Sequence, residues 1–283
     1  MGSETQAGAG KTGDTTAAVT LTHGQRTRAR AAPVVDGVRG EVLARISALD
    51  VGSFKSLEEM VYLSLKREIL DLGLVPGQLI KETMICEMFG VSRTPVRDAL
   101  RLLQEQGFVQ PAPYKGIYVT LLSLSNIKQM IYLRVAVETM VMRDFCRSAT
   151  KMQMEEAKYM LQKQKAVLLD EGFAPEMFYR LDAAMHAVWF EATKKNRLWE
   201  LIQEQQLHYT RFRMLDFVTE TDFQRIIDEH EALLGMVEKR ETARMEETLK
   251  DHLYYSMKRM RHQIDVEYRH YFEEEEAEGK FEI

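Results

Sequence analysis

Phe89-Gly90-Val91-Ser92-Arg93-Thr94-Pro95-Val96-Arg97-Asp98-Ala99-Leu100 is the stretch whose reading decides the fold. Gly90 supplies a tight turn, Ser92 and Thr94 are good helix N-caps, and the helix that follows runs to Gln106 before Gly107 stops it. Val96, Ala99, Leu100 and Leu103 recur at three and four residues and form a buried stripe. The opposite stripe carries Arg93, Arg97, Arg101 and Gln104, so long cationic donors share one exposed face. Such a face suits major-groove docking, where arginine bonds guanine edges or phosphates and the N-terminal amides favour a phosphate. An ordinary surface helix with solvated arginines has the same spacing, and spacing alone weighs the two equally.

Upstream, Leu57, Val61, Leu65, Ile69 and Leu72 predict a helix stopped by Gly73 and Pro76-Gly77. Glu82–Phe89 predicts a short second helix with Met84, Ile85 and Met88 as buried candidates. Downstream, Phe108-Val109-Gln110, a turn over Pro111–Lys115, and Gly116-Ile117-Tyr118-Val119-Thr120 predict a hairpin, the wing of a winged helix-turn-helix. Lys115 on that wing is placed to hold neighbouring DNA backbone. The rest of the chain predicts about six long amphipathic helices, over Ser125–Ser148, Met152–Leu169, Pro175–Thr193, Asn196–Phe217, Asp222–Lys239 and Thr242–Phe272, with Asn196 as an N-cap and no further strands. The expected fold class is therefore mainly α: residues 1–52 a flexible leader, 53–120 the winged helix-turn-helix, 121–272 an antiparallel helical bundle, and 273–283 an acidic tail.

The 283 residues fit two domains, and 45% apolar content is ample for a core in each. The formal charge of -5 is misleading for a DNA binder. His262–Ile283 alone carries eight carboxylates against Arg269 and Lys280, whereas Phe54–Thr120 balances eight Lys/Arg against eight Asp/Glu. The DNA argument rests on where the cations sit, not on their sum. Cys86 and Cys146 have no zinc-finger or disulfide spacing, no apolar run is long enough to cross a bilayer, and residues 1–30 lack a secretory core, so a cytoplasmic protein with free thiols is expected. Gly10-Lys11-Thr12 is a chance likeness to the end of a phosphate loop, with Thr5 where the first glycine belongs. Arg26, Arg28 and Arg30 read as solvated leader residues rather than a DNA-binding arm.

Pro76-Gly77-Gln78-Leu79, the segment Phe89–Leu100, and Gln106-Gly107-Phe108-Val109 together resemble the GntR-type winged helix over roughly Leu57–Thr120. The resemblance implies that Arg93, Thr94 and Arg97 contact double-stranded operator DNA and that Tyr114-Lys115-Gly116 reaches the adjacent groove. Thr83 stands where some relatives carry another DNA-contacting arginine. It also implies a homodimer, since helix-turn-helix proteins gain affinity by reading two half-sites.

Asp182 and His186 lie four apart, one turn along a predicted helix, and His230 and His252 fall on the next long helices. Asp and His suit a divalent ion, yet one Asp-x-x-x-His is a short pattern and ordinary helix histidines fit it as well. His23, His208, His262 and His270 have no such companions. The segment Leu124–Tyr255 is similar to the FCD-type helical domain of the fatty-acid-regulator branch of GntR proteins, through Leu133–Glu138, Asp182–His186, Asn196-Arg197-Leu198, Glu229–Leu233 and Asp251-His252-Leu253. That resemblance implies a metal ion, zinc before nickel or manganese, on Asp182, His186, His230 and His252. It further implies that Arg134 pairs with the carboxylate of a small organic acid effector, for which its planar fork is apt. Pairing of Arg134 with Glu138 one turn on is the competing structural role. Met185 replaces the aromatic residue most common before the matching histidine.

The functional expectation is a ligand-responsive transcription regulator, a repressor in its commonest form, with no catalytic residues. A metal-dependent enzyme would use the same ligands to activate water but needs a separate base or nucleophile, and none is visible. A dimerisation bundle with a purely structural ion is the third reading.

Overall fold

A computed structural model describes residues 34–35, 38–39, 42, 46, 51–112, 116–219 and 222–274. Lys115, Tyr114, the glycine-rich stretch around Lys11, and Arg26, Arg28 and Arg30 lie outside the described residues, as does the acidic end beyond Glu274. The described residues all fall within one compact unit.

The N-terminal half is built on three helices, α1 (Leu57–Leu70), α2 (Glu82–Phe89) and α3 (Arg93–Glu105). α1 starts where the Ser56 side chain accepts from the Glu59 amide, and α2 ends because Gly90 turns left-handed at φ 64°. Ser92 does stand at the N-cap of α3, but its side chain makes no capping bond there. The expected wing is present as β4 (Val109–Ala112) paired antiparallel with β5 (Gly116–Val119). A third strand, β3 (Leu79–Ile80), pairs with β5 on its other side. Two residues give no readable period, which is why this strand has no signature in the sequence.

Val61, Leu65, Ile69, Ile85, Val96, Ala99, Leu103 and Val119 close this core. Val42 and Ile46 belong to it too, with exposures of 0% and 5%, and Val34–Val35 (β1) pairs with Val38–Arg39 (β2). The flexible-leader expectation for 1–52 is thus corrected at its end. Val42 and Ile46 are spaced four apart, and burying both on one face offsets the entropy of ordering them.

The second core is helical: α4 (Leu124–Ser148), α5 (Lys151–Leu168), α6 (Pro175–Ala192), α7 (Asn196–Gln205), α8 (Leu207–Thr219), α9 (Phe223–Lys239) and α10 (Met245–Val266). α5 opens on a reciprocal capping box between Thr150 and Gln153. The helix expected over 196–217 is in fact two, broken at Gln206, and Lys195, not Asn196, occupies the N-cap. The break lets α8 run on its own course, with Leu207 packing against the winged-helix core and Phe212, Leu215 and Phe217 packing in the bundle. Phe173, Phe178, Phe217 and Phe223 meet edge to face with centroids 4.8–6.4 Å apart. No strand follows Val119 among the described residues, although Leu122 bridges to Phe272 in parallel. No described helix is long and apolar enough to cross a membrane.

Gly116 shows how tightly the wing root is drawn. Its φ is +132°, and a Cβ there would sit 3.1 Å from Leu79 Cδ1 and 3.2 Å from the Ile80 carbonyl oxygen. Gly116→Ala is therefore expected to cost about 1–3 kcal/mol in urea unfolding, through backbone strain and displacement of β3.

Candidate metal centre and nucleic-acid interface

α6 projects Asp182 and His186 inward from adjacent turns, α9 adds His230 and α10 adds His252. All four are buried, and one ligand atom from each lies within 4.8 Å of the others. Each imidazole is oriented from behind. His186 Nδ1 donates to Glu138 Oε2 at 2.5 Å, His230 Nδ1 to Gln164 Oε1 at 2.9 Å, and His252 Nδ1 to Glu229 Oε2 at 2.8 Å. A proton on Nδ1 leaves the inward Nε2 as a bare lone pair. His186 Nε2 and His252 Nε2 face each other at 3.3 Å, and His230 Nε2 lies 3.5 Å from Asp182 Oδ1. Buried Asp182 Oδ1 and His230 Nε2 have no hydrogen-bond partner.

Bare lone pairs converging on a carboxylate are mutually repulsive in a dry interior, and a cation among them removes that repulsion. The donor set fits a divalent ion: three neutral imidazoles and one carboxylate. Electrostatics favour the ligating protonation states of Asp182, His186 and His230. Burial pushes the His186 imidazole below its ordinary 6.5, against the pull of Glu138, and burial with His252 pushes His230 well below it. Burial would raise the Asp182 carboxyl, but Arg213 and then the histidines outweigh it and hold it down to about 2.

Arg134 on α4 is 4% exposed. Its Nε donates to Glu138 Oε1 at 2.6 Å and its Nη1 to the Tyr209 hydroxyl at 2.7 Å, while Nη2 has no partner. The Arg134–Glu138 pair raised from the sequence is thus formed, and it connects Arg134 to the metal cluster, because Glu138 also holds His186. Glu138 is held down to about 2 against burial, chiefly by Arg134 and His186. Arg213 on α8 adds a second buried guanidinium, with Nη2 3.8 Å from Asp182 Oδ2 and Nη1 3.4 Å from Asp216 Oδ2.

Gln164, Glu229, Arg213 and Tyr209 were not singled out by the sequence. Glu229 adjoins His230 and was findable as a neighbour, whereas Gln164 stands 66 residues from the ring it orients. His208 stands outside the cluster, and its Nδ1 accepts from the Ser123 amide at 3.1 Å.

On the other half, Arg93, Thr94, Arg97, Arg101 and Gln104 all lie exposed along α3. Arg101 bonds Glu105 in the same helix at 2.8 Å. Gly116 sits at the root of the wing, with Lys115 outside the described residues.

α8 touches both halves. Tyr209 and Arg213 point to the buried polar cluster, while Arg211, wholly buried, grips the connection: Nη1 donates to the Thr120 carbonyl at 2.6 Å and Nη2 to the Thr120 hydroxyl at 3.2 Å. The Thr120 hydroxyl in turn donates to the Gly107 carbonyl at the end of α3. Burial lowers the Arg211 guanidinium to about 10.

A winged helix-turn-helix joined to an all-helical domain with such a cluster defines a DNA-binding transcription regulator. Residues 57–119 match the family described as bacterial regulatory proteins, gntR family, and residues 129–255 match the FCD domain. The chain carries a GntR-type DNA-binding domain joined to an FCD domain, and its relatives are HTH-type transcription regulators, not enzymes. It is 26% identical over 219 residues to the HTH-type transcriptional repressor RspR of Escherichia coli (strain K12), covering 77% of this chain and 95% of that protein. It is 21% identical over 206 residues to the HTH-type transcriptional regulator YdhC of Bacillus subtilis (strain 168), covering 72% and 91%. Among solved structures, E. coli McbR/YncC superposes with a TM-score of 0.59 at 18% identity, covering 74% of this chain and 99% of that one, a likeness of fold.

The shifted groups set a pH dependence. Unfolding returns them to ordinary values, so below about pH 6.5 the unfolded chain binds more protons than the folded one. Stability present above that pH is lost as pH falls, first through His186 and His230, then through Glu138 and Asp182 as pH drops below their ordinary 4.5 and 3.8. Calorimetry of the metal-free protein should give a lower melting temperature at pH 5 than at pH 7; an equal one counts against this electrostatic account.

Proposed function

We propose that the protein is a cytoplasmic homodimer that represses transcription by binding a double-stranded operator, and that it responds to a small organic acid through a metal-containing pocket. Residues 53–120 read DNA, with Arg93, Thr94, Arg97 and Arg101 facing the groove and Lys115 and Gly116 on the wing. Residues 121–272 bind the effector and dimerise. Asp182, His186, His230 and His252 hold the ion, zinc before nickel or manganese, which supplies a positive charge to a bound carboxylate. Arg134 receives that carboxylate through its unpartnered Nη2. The observation that carries the sensing half is the buried convergence of the four ligands, each imidazole backed by an oxygen acceptor. The repressor sense rests on the likeness to RspR, a repressor by name.

In this reading α8 is the relay. A carboxylate that takes Nη1 together with the unpartnered Nη2 of Arg134 competes with Tyr209 for Nη1, and a shift of α8 reaches Thr120 and the end of α3 through Arg211. A bundle with a purely structural ion has one observation in its favour: Arg134 already bonds Glu138 and Tyr209. Operator affinity indifferent to every carboxylate tried would favour it.

Elemental analysis is expected to find about one divalent ion per chain, lost in a His186→Ala/His230→Ala variant; protein that stays metal-free after loading, with intact stability, overturns the site. Arg97→Ala is expected to weaken operator binding about 10–100-fold without lowering the melting temperature, and Lys115→Ala to reduce the salt slope by about 1. In a screen of dicarboxylates and sugar acids, binders should raise the melting temperature of wild type and of Arg211→Met alike. Only wild type should then release operator in gel retardation. Equal release by Arg211→Met removes α8 from the relay.

A further inference from the structure

The outward face of α3 is cationic, yet one carboxylate stands against it. Glu82, the first residue of α2, accepts from Arg97 Nε through Oε2 at 2.9 Å and places Oε1 3.8 Å from Arg93 Nε. The two arginine side chains are 64% and 66% exposed, while Glu82 is 27% exposed beneath them. A single acid thus touches two of the guanidiniums that face DNA.

Stability does not account for it, because ion pairs this exposed contribute little to folding. Simple affinity does not either: the carboxylate offsets a charge that would otherwise release a counterion from phosphate. What the contact does is geometric. With Nε occupied, Arg97 keeps Nη1 and Nη2 free, a two-donor edge matching guanine O6 and N7. The guanidinium is also held near one orientation before DNA arrives, so less side-chain freedom is lost on binding a base edge. A phosphate, which accepts a cation from many directions, gains nothing from that alignment.

We propose that Glu82 is a positioning and specificity-determining residue for DNA reading: it aims Arg97 and Arg93 end-on at base edges and penalises duplexes that offer phosphate contacts alone.

The test uses the full chain and two DNA probes of equal length, a duplex selected by the wild-type protein from a random pool and a mixed random-sequence duplex. Glu82→Gln preserves shape and removes the charge; Glu82→Ala, a good helix former at this position, is the second variant should the first fold poorly. Both are expected to bind the random duplex about 3–10-fold tighter, with a salt slope steeper by about 1, and to lose about tenfold in the ratio of selected to random affinity. Selection from the random pool repeated with Glu82→Gln should return a consensus with relaxed preference at one or two base pairs. A merely structural role would weaken both duplexes equally and leave the consensus unchanged. An unchanged affinity ratio or an unchanged consensus overturns the proposal.

Discussion

Three imidazoles and a carboxylate removed from water organise the helical half of this protein. Leaving such groups unsatisfied in a low-dielectric interior is expensive, so each must find a partner that holds it in one protonation state and one rotamer. Glu138, Gln164 and Glu229 do this from three helices, and Arg213 balances Asp182 from a fourth. The packing of α4, α5, α6, α8, α9 and α10 is therefore tied to one polar centre as well as to the aromatic core around Phe178 and Phe217. An apolar core tolerates many repackings of similar volume. A polar centre whose imidazoles must each meet an acceptor tolerates few.

The same centre is wired to the DNA-reading half through side chains of α8. Tyr209 and Arg213 are four apart and face inward, while Leu207 and Arg211, also four apart, face the winged helix and its connection. One helix therefore has two occupied faces, one on the polar centre and one on the winged helix and its connection. The C-terminal segment braces the connection from its other side, since the Leu122 amide donates to the Tyr271 carbonyl and the Glu273 amide to the Leu122 carbonyl. Thr120–Leu122 is gripped by parts of the chain that lie about 90 and 150 residues away in sequence.

Legibility in the sequence followed the range of the interaction. The helices of both halves were readable because burial on one face repeats every three to four residues, as in Val96, Ala99, Leu100 and Leu103. Asp182 with His186, and Arg134 with Glu138, were readable because four-residue spacing places two side chains together on one helix. His230 and His252 could be placed on the next long helices, and likeness to a family is what weighted them toward one site with Asp182 and His186. Gln164, Tyr209 and Arg213 had no signal, since an isolated polar residue on an amphipathic helix looks solvated until its face is known to be covered. The break at Gln206 was hidden for a related reason: Gln203–Gln206 holds no glycine or proline to mark a helix end, and only the different partners of α7 and α8 separate them.

The sequence by itself determined the class of fold, the arginine-bearing face of the reading helix and the ligand types available to an ion. All of these are local, set by side-chain periodicity, capping chemistry and residue identity. Tertiary structure alone decided which atoms meet: that Glu138 serves both Arg134 and His186, that Glu82 lies against Arg93 and Arg97, that Arg211 holds Thr120, and that Val42 and Ile46 enter a core they precede. The physical reason is that these contacts depend on the angles at which helices cross and on which faces become dry. Both are set by the packing of the whole chain, and no window of local sequence contains them.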